Sequence, residues 1–190
     1  DSPDHTFLAG RSLLPTHNSQ RVSRRYPLWT LTHNPNTRIA IVSYSHAVAR
    51  RWGRTIRDDI TTHPELGLTI RPDLSAQHEW QLAGAQGGVY TTGIGGSLTG
   101  RPVDLLIIDD PIKDRAEADS KVYRDRVWNW WLSVAQTRLA PGAPVVVVLT
   151  RWHEDDLAGR GGHGDGAGRG DLEGRRVRAV LLGLLRHEAD

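Results

Sequence analysis

Three short, mainly apolar runs limit what this chain can fold into: Arg38–Tyr44 (RIAIVSY), Val103–Ile108 (VDLLII) and Val145–Thr150 (VVVVLT). Such runs, rich in β-branched side chains, predict strands buried on both faces. Amphipathic helical stretches lie between them. In Ser45–Ile60, Ser45 can cap the helix, and Val48, Trp52, Ile56 and Ile60 recur at four-residue spacing. In Ser120–Leu139, Ser120 can act as the cap; Tyr123, Val127, Trp130, Trp131 and Val134 share a face, and Pro141-Gly142 stops the helix. Arg21–Leu31 predicts a further helix, short or kinked at Pro27. Glu79–Leu82 and Gly88–Thr92 predict two strands able to pair, and Gly93–Gly100 (GIGGSLTG) predicts a loop. Buried strands alternating with helices predict an α/β fold, a mainly parallel sheet covered by helices on both faces. Ligands of such sheets bind at the carboxyl ends of the strands.

Composition sets outer limits. At 190 residues the chain is one domain by length. Lys+Arg of 24 against Asp+Glu of 22 leaves a net charge of +2, which excludes a histone-like polybasic protein. The absence of cysteine excludes disulfides, cysteine-zinc sites and thiol catalysis. The longest apolar run, Val145–Leu149, is too short to span a membrane, and no signal peptide opens the chain, so an intracellular protein is expected. Lysine occurs only at Lys113 and Lys121, so chemistry that needs a lysine earlier in the chain has none. Gly161–Gly170 holds six glycines in ten residues, and residues 161–175 are expected to be flexible. Val177–Leu185 is apolar enough for a short helix or strand.

The ends of the predicted strands carry the chemistry. Leu105–Ile108 runs into Asp109-Asp110-Pro111. Four apolar residues followed by two carboxylates is the Walker B pattern of P-loop ATPases. There the first carboxylate orders Mg²⁺ through its water shell and the second orients or deprotonates the attacking water. A strand ending in a polar Asp-Pro turn accounts for the residues equally well. Thr150-Arg151 closes the next strand, where P-loop motors sense the γ-phosphate; these residues can also simply begin a helix over Glu154–Gly159. His153–Asp156 matches no helical zinc motif, and its carboxylates suit a helix start. Arg50, Arg51, Arg54 and Arg57 share one helix, either as a solvated face or as phosphate contacts. Trp52, Trp130 and Trp131 fit core packing, whereas Trp128 lies off that stripe.

These segments together resemble one family. Val22–Pro27, Asn34-Pro35, Ile41–Ser45, Gly93–Arg101 (GIGGSLTGR), Asp104–Pro111 (DLLIIDDP), Lys113–Arg115, Glu117–Ser120, Arg124–Trp128 and Thr150–Arg160 (TRWHEDDLAGR) follow in order. They are similar to the ATPase domain of tailed-phage terminase large subunits, motors that package DNA into procapsids. The resemblance covers roughly residues 21–160 and implies a P-loop NTPase fold that uses ATP and Mg²⁺. It implies double-stranded viral DNA, the terminase small subunit, the portal protein and further copies of the chain as partners. It also implies the cytoplasm of the infected or prophage-bearing bacterial host.

The family's Walker A segment, approximately Pro-x-x-Gly-Lys-Ser, should stand where this chain reads Pro15-Thr16-His17-Asn18-Ser19-Gln20. The alignment implies Ser19 as the Mg²⁺ ligand, Asn18 at the lysine position and His17 at the glycine position. Asn18 cannot neutralise phosphate charge as an ammonium does. Residues 1–20 therefore read as a degenerate Walker A segment, 21–160 as the ATPase core, and 161–190 as a Gly-rich, poorly ordered tail in place of the family's nuclease domain. Frameshifted or truncated ends are expected on that reading. The roles implied are Asp109 for Mg²⁺, Asp110 for the attacking water, and Thr150 and Arg151 for coupling phosphate state to motion. Either the motor is impaired, or the chain is a non-catalytic remnant that binds DNA or other subunits without hydrolysing ATP.

Overall fold

The computed structural model describes residues 19–98 and 100–161 in full, and the backbone of four flanking strands, Phe7–Ala9 (β1), Leu14–Thr16 (β2), Arg169–Asp171 (β9) and Arg176–Ala179 (β10). β1 and β2 form a separate antiparallel pair. The main sheet adds β3 (Arg38–Ser43), β4 (Ile70–Ser75), β5 (Glu79–Leu82), β6 (Gly88–Gly93), β7 (Leu105–Asp109) and β8 (Val145–Val148). Its order is β4-β5-β6-β3-β7-β8-β10-β9. In that order the neighbours from β6 to β10 pair in parallel, while β5 and β9 run opposite to them and β4, antiparallel to β5, completes one edge.

The three apolar runs are β3, β7 and β8 at the centre of this sheet, each buried on both faces. Alternate side chains feed two cores. On one face Ile39, Ile41, Leu105, Ile107, Val146 and Val148 meet Leu28 and Leu31 of α1 (Tyr26–His33) and Ile56 and Ile60 of α2 (His46–Thr62). On the other, Ala40, Val42, Leu106, Ile108, Val145 and Val147 meet Val127 and Trp130 of α4 (Lys121–Trp130) and Leu157 of α5 (Leu157–Gly161). The α/β expectation holds: a mostly parallel sheet with helices on both faces.

Several elements depart from the sequence expectation. Arg21–Leu31 belongs to a longer helical segment that opens with wide π turns over Gln20–Arg25 and tightens into α1, with Pro27 in the first α turn, where a missing N–H costs least. The helix expected over Ser120–Leu139 divides. Asp114 caps a short α3 (Arg115–Asp119), and Ser120 marks the break before α4 without a capping bond from its side chain. Beyond α4 the helix widens into π turns over Trp131–Ala135. That widening lets the consecutive Trp130 and Trp131 both turn inward; they are buried, and Trp130 Nε1 donates to the Gly96 carbonyl at 3.1 Å. Tyr123, expected on the buried face, is exposed because the first turn of α4 overhangs the core. β4 carries Pro72 and sits at the sheet edge, where a missing N–H is tolerated; nothing in the sequence reading anticipates it. The helix expected over Glu154–Gly159 starts later, as α5, with Asp156 Oδ1 accepting the Gly159 N–H at 2.8 Å. Within the Gly-rich tail, 162–168, 172–175 and 180–190 lie outside the described residues, and the stretch Arg176–Ala179 is a strand beside β8.

Candidate functional site

Connectivity creates the site. From β3 the chain crosses through α2 to β4 at the far edge and returns through β5 to β6, all on one side of β3; from β7 it crosses through α4 to β8 on the other. Adjacent parallel strands whose connections leave in opposite directions open a crevice at their carboxyl ends. Ser43 and Asp109 are register partners at that crevice.

Asp109 ends β7 and is 3% exposed. Ser19 Oγ donates to its Oδ1 at 3.0 Å, bringing the segment before α1 onto the strand end. Burial pushes the Asp109 carboxyl above its ordinary range, opposed by the hydroxyls of Ser19 and Ser23 and the indole of Trp52. Ser23 Oγ and Trp52 Nε1 are buried donors that face this carboxylate without closing a hydrogen bond of ordinary geometry. Asp109 thus sits in a socket with one closed and two open donors. Sequence reasoning missed Ser23 and assigned Trp52 to the core. The available signal for Ser23 was its spacing: Ser19 and Ser23 stand one helical turn apart.

Asp110 is sewn between two strands. Its N–H donates to the Val148 carbonyl at 2.8 Å, and its carbonyl accepts the Tyr44 N–H at 2.9 Å. Its φ of 45° lies in the left-handed region, which Asp tolerates better than most residues. The bend turns its carboxyl to the same edge as Asp109. Burial first, then repulsion from Asp109, push it up to about 6, while a backbone hydrogen bond from Thr150 holds it partly down. A carboxyl titrating there can accept a proton from water at neutral pH.

The fold brings Ser19, Asp109, Asp110 and the Thr150 backbone together. The Thr150 side chain is exposed. Arg151 turns away: its Nε lies 2.6 Å from Oδ2 of the buried Asp156. His17 and Asn18 lie outside the described residues. The acidic run after Trp152 serves packing. Asp155 binds Arg124 and Arg160, Arg160 also binds Asp125, and these pairs lock α5 to α4. The Gly93–Gly100 loop packs inward through Leu98 and caps α4's face rather than the carboxylate pair.

Fold and site define a parallel-sheet α/β protein with an acidic pair at the topological switch point, where such sheets hold ligands. The family described as "Terminase large subunit, T4likevirus-type, N-terminal" matches residues 21–180, and the chain belongs to it. That match runs past Arg160, where the family-like motifs end, and takes in β9 and β10. A comparison with curated proteins finds no match.

Proposed function

We propose that the switch-point crevice is the Mg²⁺-ATP site of a DNA-packaging motor, weakened in this chain by its degenerate Walker A segment. The observation that carries the reading is the 3.0 Å bond from Ser19 to Asp109. It joins the residue at the expected metal-binding serine position to the first carboxylate of the Walker B pattern, 90 residues later. A hydroxyl and a buried carboxylate facing one point suit hydrated Mg²⁺, a cation that keeps most of its water. Bound there, Mg²⁺ would neutralise phosphate charge. Asp109 and Ser19 would hold its water shell, Asp110 would orient the attacking water and take its proton, and Thr150 holds Asp110 through its backbone. Arg151 acts through Asp156, and His17 and Asn18 occupy the phosphate-loop positions. Family membership supports viral double-stranded DNA, the small subunit, the portal protein and further copies of the chain as partners, in the bacterial host's cytoplasm.

The second reading is a domain that binds partners without turning over ATP. The absence of any lysine before Lys113 favours it. Losing a phosphate-binding cation costs on the order of 10³-fold or more in rate. Thermal unfolding with and without Mg²⁺-ATP separates the two. A ligand at 100 times its Kd adds about 2.7 kcal/mol of stability. The motor reading expects a Tm rise that Asp109→Asn removes, with slow turnover abolished by Asp110→Asn. A Tm unmoved by saturating Mg²⁺-ATP sinks it and leaves the remnant.

A further inference from the structure

The net charge of +2 conceals a strong asymmetry. Residues 5–57 contain nine arginines and no Asp or Glu, whereas residues 58–190 hold 15 Lys+Arg against 20 Asp+Glu. The fold brings most of the described arginines of that stretch to one face of the sheet. α1, the π-turn segment Gln20–Arg25 that leads into it, and α2 lie together there, and two hydrogen bonds of 2.8 and 2.7 Å from Arg24 to Asp59 tie that segment to α2. Their outward surfaces carry Arg21, Arg25, Arg50 and Arg51, all exposed and without a partner among the described residues. Arg54 and Arg57 lean on Asp58, the one acid at that surface besides the paired Asp59. By contrast Asp73, Glu79, Asp104, Asp125, Asp155 and Asp156 are each matched to an arginine elsewhere.

Arg21, Arg25, Trp29 and His33 recur every four residues along one helix side. Trp29 is 56% exposed, with Tyr26 stacked at 6.0 Å and His33 at 4.3 Å. Four exposed guanidiniums without acidic partners suit contact with a phosphate backbone.

We propose that the outer face of α2 and of the helical segment leading into α1 is a duplex-DNA backbone-binding surface, with Arg21, Arg25, Arg50 and Arg51 as the residues that meet phosphate. The proposal rests on the motor reading for its partner, and it places the DNA on the helices rather than in the switch-point crevice. Phosphate contacts carry no sequence information, so binding should be indifferent to sequence.

The test is fluorescence anisotropy with a duplex of about 30 base pairs, titrated at salt from roughly 50 to 200 mM. Compared are the parent, the quadruple variant Arg21→Gln/Arg25→Gln/Arg50→Gln/Arg51→Gln, and a control, Arg115→Gln/Lys121→Gln. The quadruple variant should bind at least about 10-fold more weakly, and its slope of log K against log salt should be shallower by about 0.9 for each phosphate that is no longer neutralised. The control should match the parent, and Tm should confirm that all three fold. Parental affinity and slope in the quadruple variant overturn the proposal, as does an equal weakening in the control. A parent oligomer that the four substitutions dissociate, with DNA binding unchanged, assigns the face to contact between copies and also overturns it. The Mg²⁺-ATP shift in Tm reads the crevice independently, so failure of the nucleotide reading and failure of the DNA surface give different results.

Discussion

Asp110 concentrates the chemistry of the molecule in one residue. Its folded pKa of about 6 stands above the ordinary 3.8. At a pH below the ordinary value the carboxyl is protonated in both folded and unfolded chains and costs nothing. Across the window up to about 6 the unfolded chain releases the proton while the folded one keeps it, so stability falls as pH rises. Above that, the folded state carries the full cost of a buried charge beside Asp109. Asp110→Asn should therefore stabilise the fold at neutral pH by about 1–3 kcal/mol and leave it unchanged near pH ~3, read as Tm across pH. Asn also tolerates the left-handed φ; Asp110→Ala should recover less, by roughly 1 kcal/mol, because alanine resists that backbone. Trp52→Phe keeps the ring and deletes one donor aimed at Asp109. Expected are a nearly unchanged Tm without ligand and a smaller Mg²⁺-dependent rise in Tm. Asp109 and Asp110 were legible in the sequence because an apolar run that ends in carboxylates is a local pattern. Ser23 and Trp52 were not, since their bearing on Asp109 exists only once the π-turn segment Gln20–Arg25 and α2 pack beside the end of β7.

Among the elements, α2 shows how local signal and tertiary contact divide the work. Its cap was legible: Ser45 Oγ accepts the Val48 N–H at 3.3 Å. Its central glycine was not. At Gly53 a Cβ would meet the Gln77 carbonyl oxygen at 2.6 Å and Thr91 Cγ2 at 2.8 Å, and the Gly53 carbonyl accepts Trp80 Nε1 at 2.8 Å. The helix lies directly on β5 and β6 there. In an isolated helix, Gly53→Ala would stabilise by about 1 kcal/mol. In this fold it should destabilise by roughly 1–3 kcal/mol, because backbone must move to admit the methyl group. A chemical-denaturation midpoint that rises instead would show that α2 can lift off the sheet freely. The divided helix around α4 makes the same point from the other side. Periodicity located its buried face, on which Trp130 and Trp131 both lie, but not the break at Ser120 nor the π turns over Trp131–Ala135.

Across the whole molecule, the ion-pair cluster of Arg160, Asp155, Arg124 and Asp125 ties α5 to α4 on the core face opposite α1 and α2. Arg160, then Arg124, hold the Asp155 carboxyl well below its ordinary value. Its contribution is thus present at pH above the ordinary value and lost as pH falls below it, the reverse of Asp110. Arg160→Gln should lower Tm by roughly 2–4 °C at neutral pH, and by progressively less as pH falls below about 4, where the unfolded chain's carboxyls take up protons first. Partial exposure of Asp155 and Asp125 keeps the effect modest.

The sequence by itself determined the buried central strands, the helices that cover them and the two carboxylates at the end of β7. Each of these is written in a contiguous run whose spacing is set by backbone geometry. Family membership followed from many such runs in order. Only the tertiary structure decided the strand order, and so the switch point that gathers Ser19, Asp109 and Asp110 from distant parts of the chain. It alone turned Arg151 to Asp156 and brought the unpaired arginines of α2 and of the segment leading into α1 to one face of the sheet. Those outcomes depend on which elements become neighbours, and a one-dimensional pattern encodes the faces of elements but not their partners.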